Sequence, residues 1–202
     1  FPPVEYFRNL ASYMDAFSSN EELNLEPTIN YEEWAPEELA FDEQKPTGIS
    51  DTIIDTLVNK HYCIVQGPPG TGKSYTIASV ISSYLDVGKT VCVTTMANKG
   101  LIELIKQRPL QKYVKEGRIS KTNLSIDERK LVSGLKAASS DLQVPGGEML
   151  CATNYQLSSV FSEKKKTLYG LPQYDLVVIE EASQAFLTAI VAFKQLGIDC
   201  MI

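Results

Sequence analysis

Short apolar runs alternate with amphipathic stretches from residue 49 onward. Runs of about five apolar residues between polar or glycine-containing segments predict buried strands, and apolar residues at i, i+3 and i+4 predict helices. The predicted strands cover residues 62–66, 90–95, 149–153 and 174–179, and a fifth begins at Cys200. The predicted helices cover residues 49–59, 74–86, 99–107 and 182–193. Strands that alternate with helices predict an α/β fold in which helices cover both faces of a parallel sheet.

The chain divides into an acidic lead-in and one larger domain. Residues 1–45 contain 11 acidic and two basic side chains with interspersed aromatic residues, and residues 4–17 are a predicted helix. Residues 46–202 form the predicted α/β domain. Within it, residues 108–147 are polar, basic and rich in serine and glycine. They predict an insertion with mainly helical pieces.

Charge and cysteine content narrow the function classes. The net charge of −6 argues against a protein that simply coats nucleic acid. Residues 99–136 nevertheless hold 10 basic and four acidic side chains. This local excess of positive charge is compatible with contact to phosphates and also with an ordinary solvated surface. The four cysteines lie singly within apolar runs and predict buried thiols in a reducing, intracellular, cytoplasmic compartment. No Cys-x-x-Cys pair is present, so a zinc site is not expected. No apolar run approaches the length of a membrane helix, so a membrane partner is not expected.

Residues 67–74 read GPPGTGKS between a predicted strand and a predicted helix. This is the full phosphate-loop (Walker A) pattern in its required context. Glycines let successive N–H groups face an anion, the lysine reaches the β- and γ-phosphates, and the serine hydroxyl is a Mg²⁺ ligand. The sequence therefore predicts an ATP and Mg²⁺ site. Its nucleotide-binding residues are Gly67, Pro68, Pro69, Gly70, Thr71, Gly72, Lys73 and Ser74, together with Tyr75 and Gln184, and Lys73 is also predicted to be catalytic.

Two adjacent carboxylates, Glu180 and Glu181, follow the predicted strand over residues 174–179. Hydrolysis of a nucleotide needs one carboxylate on the metal side and one group that polarises the attacking water. Neighbours in an extended chain point in opposite directions, so the two side chains are expected to have separate roles. We assign Glu180, with Ser74, to Mg²⁺, and Glu181 to catalysis as the water-polarising base; the pair corresponds to a Walker B sequence.

These motifs resemble superfamily 1 helicases, in particular the branch of the nonsense-mediated-decay RNA helicases and their DNA relatives. GPPGTGKS at 67–74 is similar to motif I of that family, TTMANKGLIEL at 94–104 to motif Ia, LCATNYQL at 150–157 to motif Ic, and VVIEEASQ at 177–184 to motif II. Glu180 stands where that family usually carries an aspartate. The resemblance covers residues 49–202, and it implies a RecA-like first motor domain that hydrolyses ATP.

The resemblance also implies partners. Single-stranded DNA or RNA would contact Thr153 of the motif Ic match. The basic residues of the 99–147 region are expected to meet its phosphates, namely Lys99, Lys106, Arg108, Lys112, Lys115 and Arg118. Tyr155 either stacks on a base or packs as an ordinary core or surface residue. A second RecA-like domain would complete the ATP cleft, so the isolated chain is expected to hydrolyse ATP weakly or not at all.

Two other functions remain compatible with these motifs. GPPGTGK also occurs in AAA+-type ATPases that remodel other proteins, and nucleic-acid-stimulated hydrolysis would separate the two classes. A nucleotide-binding switch module without turnover is the third interpretation. It predicts that changing Glu181 leaves hydrolysis unaltered.

Overall fold

The computed structural model describes residues 48–161 and 173–202, together with Ala11. The acidic lead-in, including the helix predicted over residues 4–17, otherwise lies outside the described residues. The strands are Tyr62–Cys63 (β1), Val91–Thr95 (β2), Ile119–Lys121 (β3), Lys136–Ala137 (β4), Met149–Thr153 (β5), Tyr174–Ile179 (β6) and Gly197–Met201 (β7). The helices are Ile49–Lys60 (α1), Lys73–Asp86 (α2), Asn98–Ile105 (α3), Gln111–Lys115 (α4), Ile126–Leu131 (α5), Asn154–Leu157 (α6) and Leu187–Lys194 (α7).

The seven strands form one sheet in the order β1-β7-β6-β2-β5-β3-β4. Every pairing is parallel. The carboxyl ends of all strands therefore meet at one edge of the sheet, called here the carboxyl edge, and their starts define the opposite amino edge. Because the helix after a parallel strand runs back across the sheet, α2 and α3 begin at the carboxyl edge and end at the amino edge.

Alternating strand residues divide the interior into two hydrophobic layers. Val91 and Val93 of β2 pack with α1, α2, α3 and α4 on one face, whereas Cys92 between them packs with α6 and α7 on the other. This two-residue alternation is the normal consequence of a pleated strand covered on both faces. The predicted fold, a RecA-like parallel sheet with helices on both faces, is confirmed.

The structure differs from the sequence prediction at four elements. The strand predicted to begin at Cys200 already begins at Gly197, as β7. β1 has only two residues and lies at the margin of the sheet, where Tyr62 and Ile64 are exposed, so the predicted buried strand over 62–66 is wrong. The helix predicted over 182–193 is a 3-10 turn at Ala182–Gln184 followed by α7. The basic insertion contains the expected helical pieces, α4 and α5, but also adds β3 and β4 to the sheet.

Candidate nucleotide site and carboxyl edge

The phosphate loop connects β1 to α2, and its backbone is folded for an anion. Gly70 and Gly72 have φ values of 83° and 81°, a conformation that strains residues with side chains. The Thr71 hydroxyl donates a 2.8 Å hydrogen bond to the Pro68 carbonyl, which braces the turn from within. Residues 68–72, which include Pro69, are exposed. A phosphate can therefore approach the loop directly from solvent.

The first turn of α2 leaves its backbone N–H groups open to a ligand. Gly72 is the N-cap and provides no side-chain hydrogen bond, and the first turn contains no acidic residue. The starts of α5 and α6 differ, because Ser125 and Thr153 close them with capping boxes. Uncapped N–H groups and the helix dipole make the start of α2 an anion-binding end.

Lys73, the first residue of α2, folds back across the loop. Its ammonium group donates hydrogen bonds to the carbonyls of Gly67 and Pro68, the latter at 3.0 Å. Phosphate oxygens are charged acceptors and form stronger hydrogen bonds with an ammonium than neutral carbonyls do. The structure thus places a cation where the loop would close around a phosphate.

Glu180 follows β6 at the carboxyl edge, and its backbone N–H donates a 2.9 Å hydrogen bond to the Thr94 carbonyl of β2. Burial raises the pKa of the Glu180 carboxyl to about 7, the neighbouring Glu181 adds to the rise, and a hydrogen bond with Ser74 opposes it. The Ser74 hydroxyl and the Glu180 carboxyl are the oxygen ligands that Mg²⁺ prefers. Glu180 Oε2 is buried and has no hydrogen-bond partner among the described residues. These features fit a divalent cation.

Gly100 of α3 packs closely against Thr95 and Glu180. A Cβ atom added to Gly100 of α3 would lie 3.7 Å from Glu180 Oε2 and 3.3 Å from Thr95 Oγ1. Thr95 Oγ1 is also buried, and it too finds no hydrogen-bond partner in the described part of the chain. A side chain at this position would therefore crowd both polar atoms, and glycine avoids that contact.

Glu181 has a different environment from Glu180. It adopts a left-handed backbone conformation with φ 53°, and its side chain is exposed. Gln184 donates a 3.3 Å hydrogen bond to Glu181 Oε2, which places these two predicted site residues together. Tyr75 lies elsewhere, on the outer side of α2, where it lines a surface cavity of about 400 Å³ with Arg108 and Lys112.

The turns after β2 and β5 are joined at the same carboxyl edge. Thr94 donates a 2.6 Å hydrogen bond to Asn154 Oδ1, and the Asn154 amide lies 3.1 Å from the Met96 sulfur. Thr153 caps α6. Tyr155 is 42% exposed and lines a polar cavity of about 300 Å³. The motif Ia and motif Ic matches are thus held together by hydrogen bonds at the carboxyl edge.

The six predicted phosphate-contacting residues do not share one surface. Lys99 lies exposed in the first turn of α3, at the carboxyl edge, and Arg108 lies beside α2 with Tyr75. Lys112 lines the same cavity as Arg108, and the remaining three lie towards the amino edge, where α3 ends and β3 begins: Lys106, Lys115 and Arg118. Three of the six are paired with neighbours: Lys112 contacts Asp86 at 2.7 Å, Arg118 contacts Glu116 at 3.2 Å and Lys106 contacts Glu103 at 3.9 Å. This placement argues against one phosphate-binding track.

Sequence reasoning missed Thr95, Gly100 and Asn154. A detectable signal existed for Thr95, because a polar residue ends an otherwise apolar buried strand. The close approach of Gly100 to Thr95 and Glu180 depends on two strands and a helix, so it had no local signal. The cysteines agree better with prediction: all four are free thiols, three of them are buried, and Cys63 is partly buried.

Comparisons with known proteins agree with this architecture. The family model AAA_19, described as AAA domain, matches residues 50–196. Among solved structures, the UvsW helicase from bacteriophage T4 is similar, with a TM-score of 0.50 and 14% sequence identity over 75% of this chain and 49% of that one. At this identity the likeness shows a shared fold. The chain spans about half the length of that helicase. Comparison with curated proteins finds no match.

Within residues 48–161 and 173–202, no helix combines the length and the apolar character needed to cross a bilayer.

Proposed function

The chain belongs to the AAA domain family, and on that basis we propose that it is the ATP-binding and ATP-hydrolysing domain of a nucleic-acid motor, a helicase or translocase of the superfamily 1 type. The motif resemblance favours the nonsense-mediated-decay-like branch. We place the protein inside the cell, where ATP and free thiols occur together.

The observation that carries this proposal is the sharing of one sheet edge by three sets of residues. The phosphate loop, the Glu180–Glu181 pair and the joined turns after β2 and β5 all lie at the carboxyl edge. The carboxyl edge of a parallel sheet is where α/β proteins generally bind their ligands. A motor needs this proximity, because a conformational change at the nucleotide site must be transmitted to the bound nucleic acid.

Each residue of the site has a role that its contacts support. Lys73 exchanges its carbonyl partners for the β- and γ-phosphates, and the open N–H groups of α2 hold the phosphates in place. Ser74 and Glu180 hold Mg²⁺, which would neutralise charge on the phosphates during transfer. Glu181 is exposed, so it can orient and deprotonate a water from the solvent side. Gln184 holds the Glu181 carboxylate.

The nucleic acid is proposed to lie across the turns after β2 and β5. Lys99 contributes charge and the uncapped start of α3 contributes backbone N–H groups, both suited to backbone phosphates. Thr153 and Tyr155 lie next to the polar cavity, where Tyr155 is placed for stacking on a base. These contacts read the backbone and ring faces, so little sequence preference is expected.

A second RecA-like domain is proposed to complete the cleft. The chain supplies one wall, consisting of the phosphate loop and the two carboxylates. The positive groups that would stabilise charge on the γ-phosphate from the other side are not among the proposed site residues. We therefore expect the 202-residue chain to bind ATP and to hydrolyse it slowly, without unwinding a duplex.

The test is ATP binding and single-turnover hydrolysis by the chain, with and without single-stranded DNA or RNA. Lys73→Ala should weaken ATP binding by at least about tenfold, because a charged phosphate contact is lost. Glu181→Gln should keep ATP affinity and slow hydrolysis by about 100-fold or more. If Glu181→Gln hydrolyses ATP like the parent, the catalytic assignment is wrong and a nucleotide switch becomes the better interpretation.

The family description also fits a second candidate, an AAA+-type ATPase that remodels proteins. Nucleic acid separates the two. Faster hydrolysis or tighter binding of ATP in the presence of single strands supports the motor, whereas indifference to nucleic acid supports the remodeller.

A further inference from the structure

The polar cavity beside Tyr155 lies where three adjacent strands end. Its walls come from residues that follow β3, β4 and β5, such as Thr122, Ala138 and Tyr155. Its volume of about 300 Å³ lies at the small end of the range for ligand sites. Hydroxyl and amide side chains predominate in its lining, and among the described residues that line it none is charged. The cavity therefore suits a small uncharged group and offers no counter-charge to a phosphate.

Gln156 is held in this lining with a fixed orientation. Its Oε1 accepts a 3.1 Å hydrogen bond from the Thr153 backbone N–H and a second hydrogen bond from the Thr122 hydroxyl. A backbone N–H can only donate, so the atom that faces it must be the amide oxygen and not the amide nitrogen. The two N–H donors of Gln156 remain, and no described residue accepts a hydrogen bond from them. They are available to a ligand in the cavity.

Tyr155 supplies an aromatic ring beside this donor. It precedes Gln156 in the chain, is exposed and lines the same cavity. An aromatic ring next to a fixed hydrogen-bond donor is the combination by which proteins hold an unstacked base, since the ring contacts its face and the donor contacts its edge. The cavity thus has the size, the neutrality and the two contacts that one base requires.

We propose that the cavity takes up one nucleobase turned out of the bound single strand. Tyr155 stacks on the base, and the Gln156 amide donates to a nitrogen or oxygen acceptor on its edge. For the presence of the strand, the inference rests on the proposed function. It also gives β3 and β4 a role, because the residues that follow them complete the cavity.

This site differs from the phosphate contacts of the proposed path. It depends on a base being present, whereas Lys99 and the start of α3 depend only on the backbone. Every standard base carries at least one ring nitrogen or carbonyl acceptor, so the cavity tolerates different sequences. A strand without bases loses this contact and keeps all of its phosphates.

The test measures binding of two single strands of equal length by the full 202-residue chain. One is oligothymidylate and the other is a fully abasic strand with the same phosphates and sugars. Gln156→Glu keeps an acceptor for Thr122 and Thr153, so the capping box of α6 is retained, and it replaces the donor by an acceptor. Gln143→Glu is the matched control, because it adds the same charge at an exposed residue nearby that does not line the cavity.

On oligothymidylate, Gln156→Glu should weaken binding at least about threefold more than Gln143→Glu does, which corresponds to the loss of one hydrogen bond. On the abasic strand the two variants should bind equally. Tyr155→Leu keeps an apolar side chain without the ring face. It should weaken binding of oligothymidylate about fivefold or more and leave binding of the abasic strand within about twofold of the parent.

Three results overturn the base site. The first is an equal loss for Gln156→Glu and Gln143→Glu on oligothymidylate, which indicates a general charge effect. The second is a larger loss for Gln156→Glu that persists on the abasic strand, which indicates that the cavity holds a sugar. The third is a parent that binds both strands equally, and the proposed function survives that result. A parent that binds neither strand contradicts the proposed function itself, and the base site falls with it.

Discussion

The ionised Glu180 carboxylate destabilises the fold, and the same side chain is proposed to bind Mg²⁺. Its carboxyl group is enclosed by the ends of β2 and β6 and by α3, and burial raises its pKa to about 7. A carboxyl group with a raised pKa opposes folding when it ionises. A bound cation reverses this effect, because it stabilises the ionised form. The ionised carboxylate therefore destabilises the fold most when no cation is bound.

The pH dependence of stability follows from the direction of this shift. The folded pKa lies above the ordinary value of 4.5, so the penalty is absent below that value and grows as pH rises through about 7. Glu180→Gln should stabilise the nucleotide-free chain by about 1–2 kcal/mol at pH 8, after allowance for partial solvent screening. The difference should nearly vanish at pH 4. Urea unfolding at the two pH values measures it. Equal stability of parent and variant at pH 8 contradicts the assignment.

At the scale of elements, a buried ion pair attaches α5 to β3. Lys121 of β3 is completely buried, and its ammonium group lies 3.1 Å from Glu128 Oε1. Glu128 also closes the capping box of α5, where it accepts a 2.9 Å hydrogen bond from the Ser125 backbone N–H. Burial alone would raise the Glu128 pKa, but the hydrogen bonds with Ser125 and Lys121 outweigh it and lower the pKa.

Replacement of Glu128 should therefore destabilise this part of the sheet. Glu128→Gln leaves the Lys121 charge buried with a weaker partner and should cost about 2 kcal/mol at pH 7. Because the folded pKa is lowered, the contribution of Glu128 is present above its ordinary pKa of 4.5 and is lost as pH falls below it. Unfolding at pH 7 and pH 3.5 measures both effects. Asp127→Asn, whose side chain is 89% exposed, is the control and should change stability by less than about 0.5 kcal/mol.

The elements best predicted from the sequence are those whose signal is local. β5 and β6 have the predicted bounds, because each is an apolar run of five or six residues buried on both faces. β3 and β4 were missed, because strands of three and two residues have no apolar run of their own. β3 exists through pairing with β5, which lies further along the chain, and β4 pairs in turn with β3. In the site, the phosphate-loop pattern is local and was recognised from the sequence, whereas the contacts of Gly100 with Thr95 and Glu180 depend on the spatial neighbours of β2.

At the scale of the whole molecule, the two edges of the sheet differ in function. Lys99 at the carboxyl edge and Lys115 near the amino edge are both exposed lysines, so they form a matched pair. Lys99→Ala should weaken binding of single-stranded nucleic acid several-fold at low salt. It should also reduce the slope of log affinity against log salt by about 0.7, the loss of one phosphate contact. Lys115→Ala should leave both quantities unchanged.

Fluorescence anisotropy across a salt series measures both variants. Equal losses for the two lysines would indicate a general charge effect. A loss confined to Lys115 would place the nucleic acid at the amino edge and contradict the proposed path.

β1 has a consequence for how the protein responds to its ligand. It has two residues and, among the described strands, pairs with β7 alone, yet the phosphate loop depends on it. Such a strand opens locally at a small free-energy cost, and its amide hydrogens exchange early. The apparent affinity of a nucleotide that binds only the closed form is its intrinsic affinity multiplied by the fraction of molecules that are closed. Changes in β7, remote from any phosphate, would then appear in experiments as weaker binding of ATP.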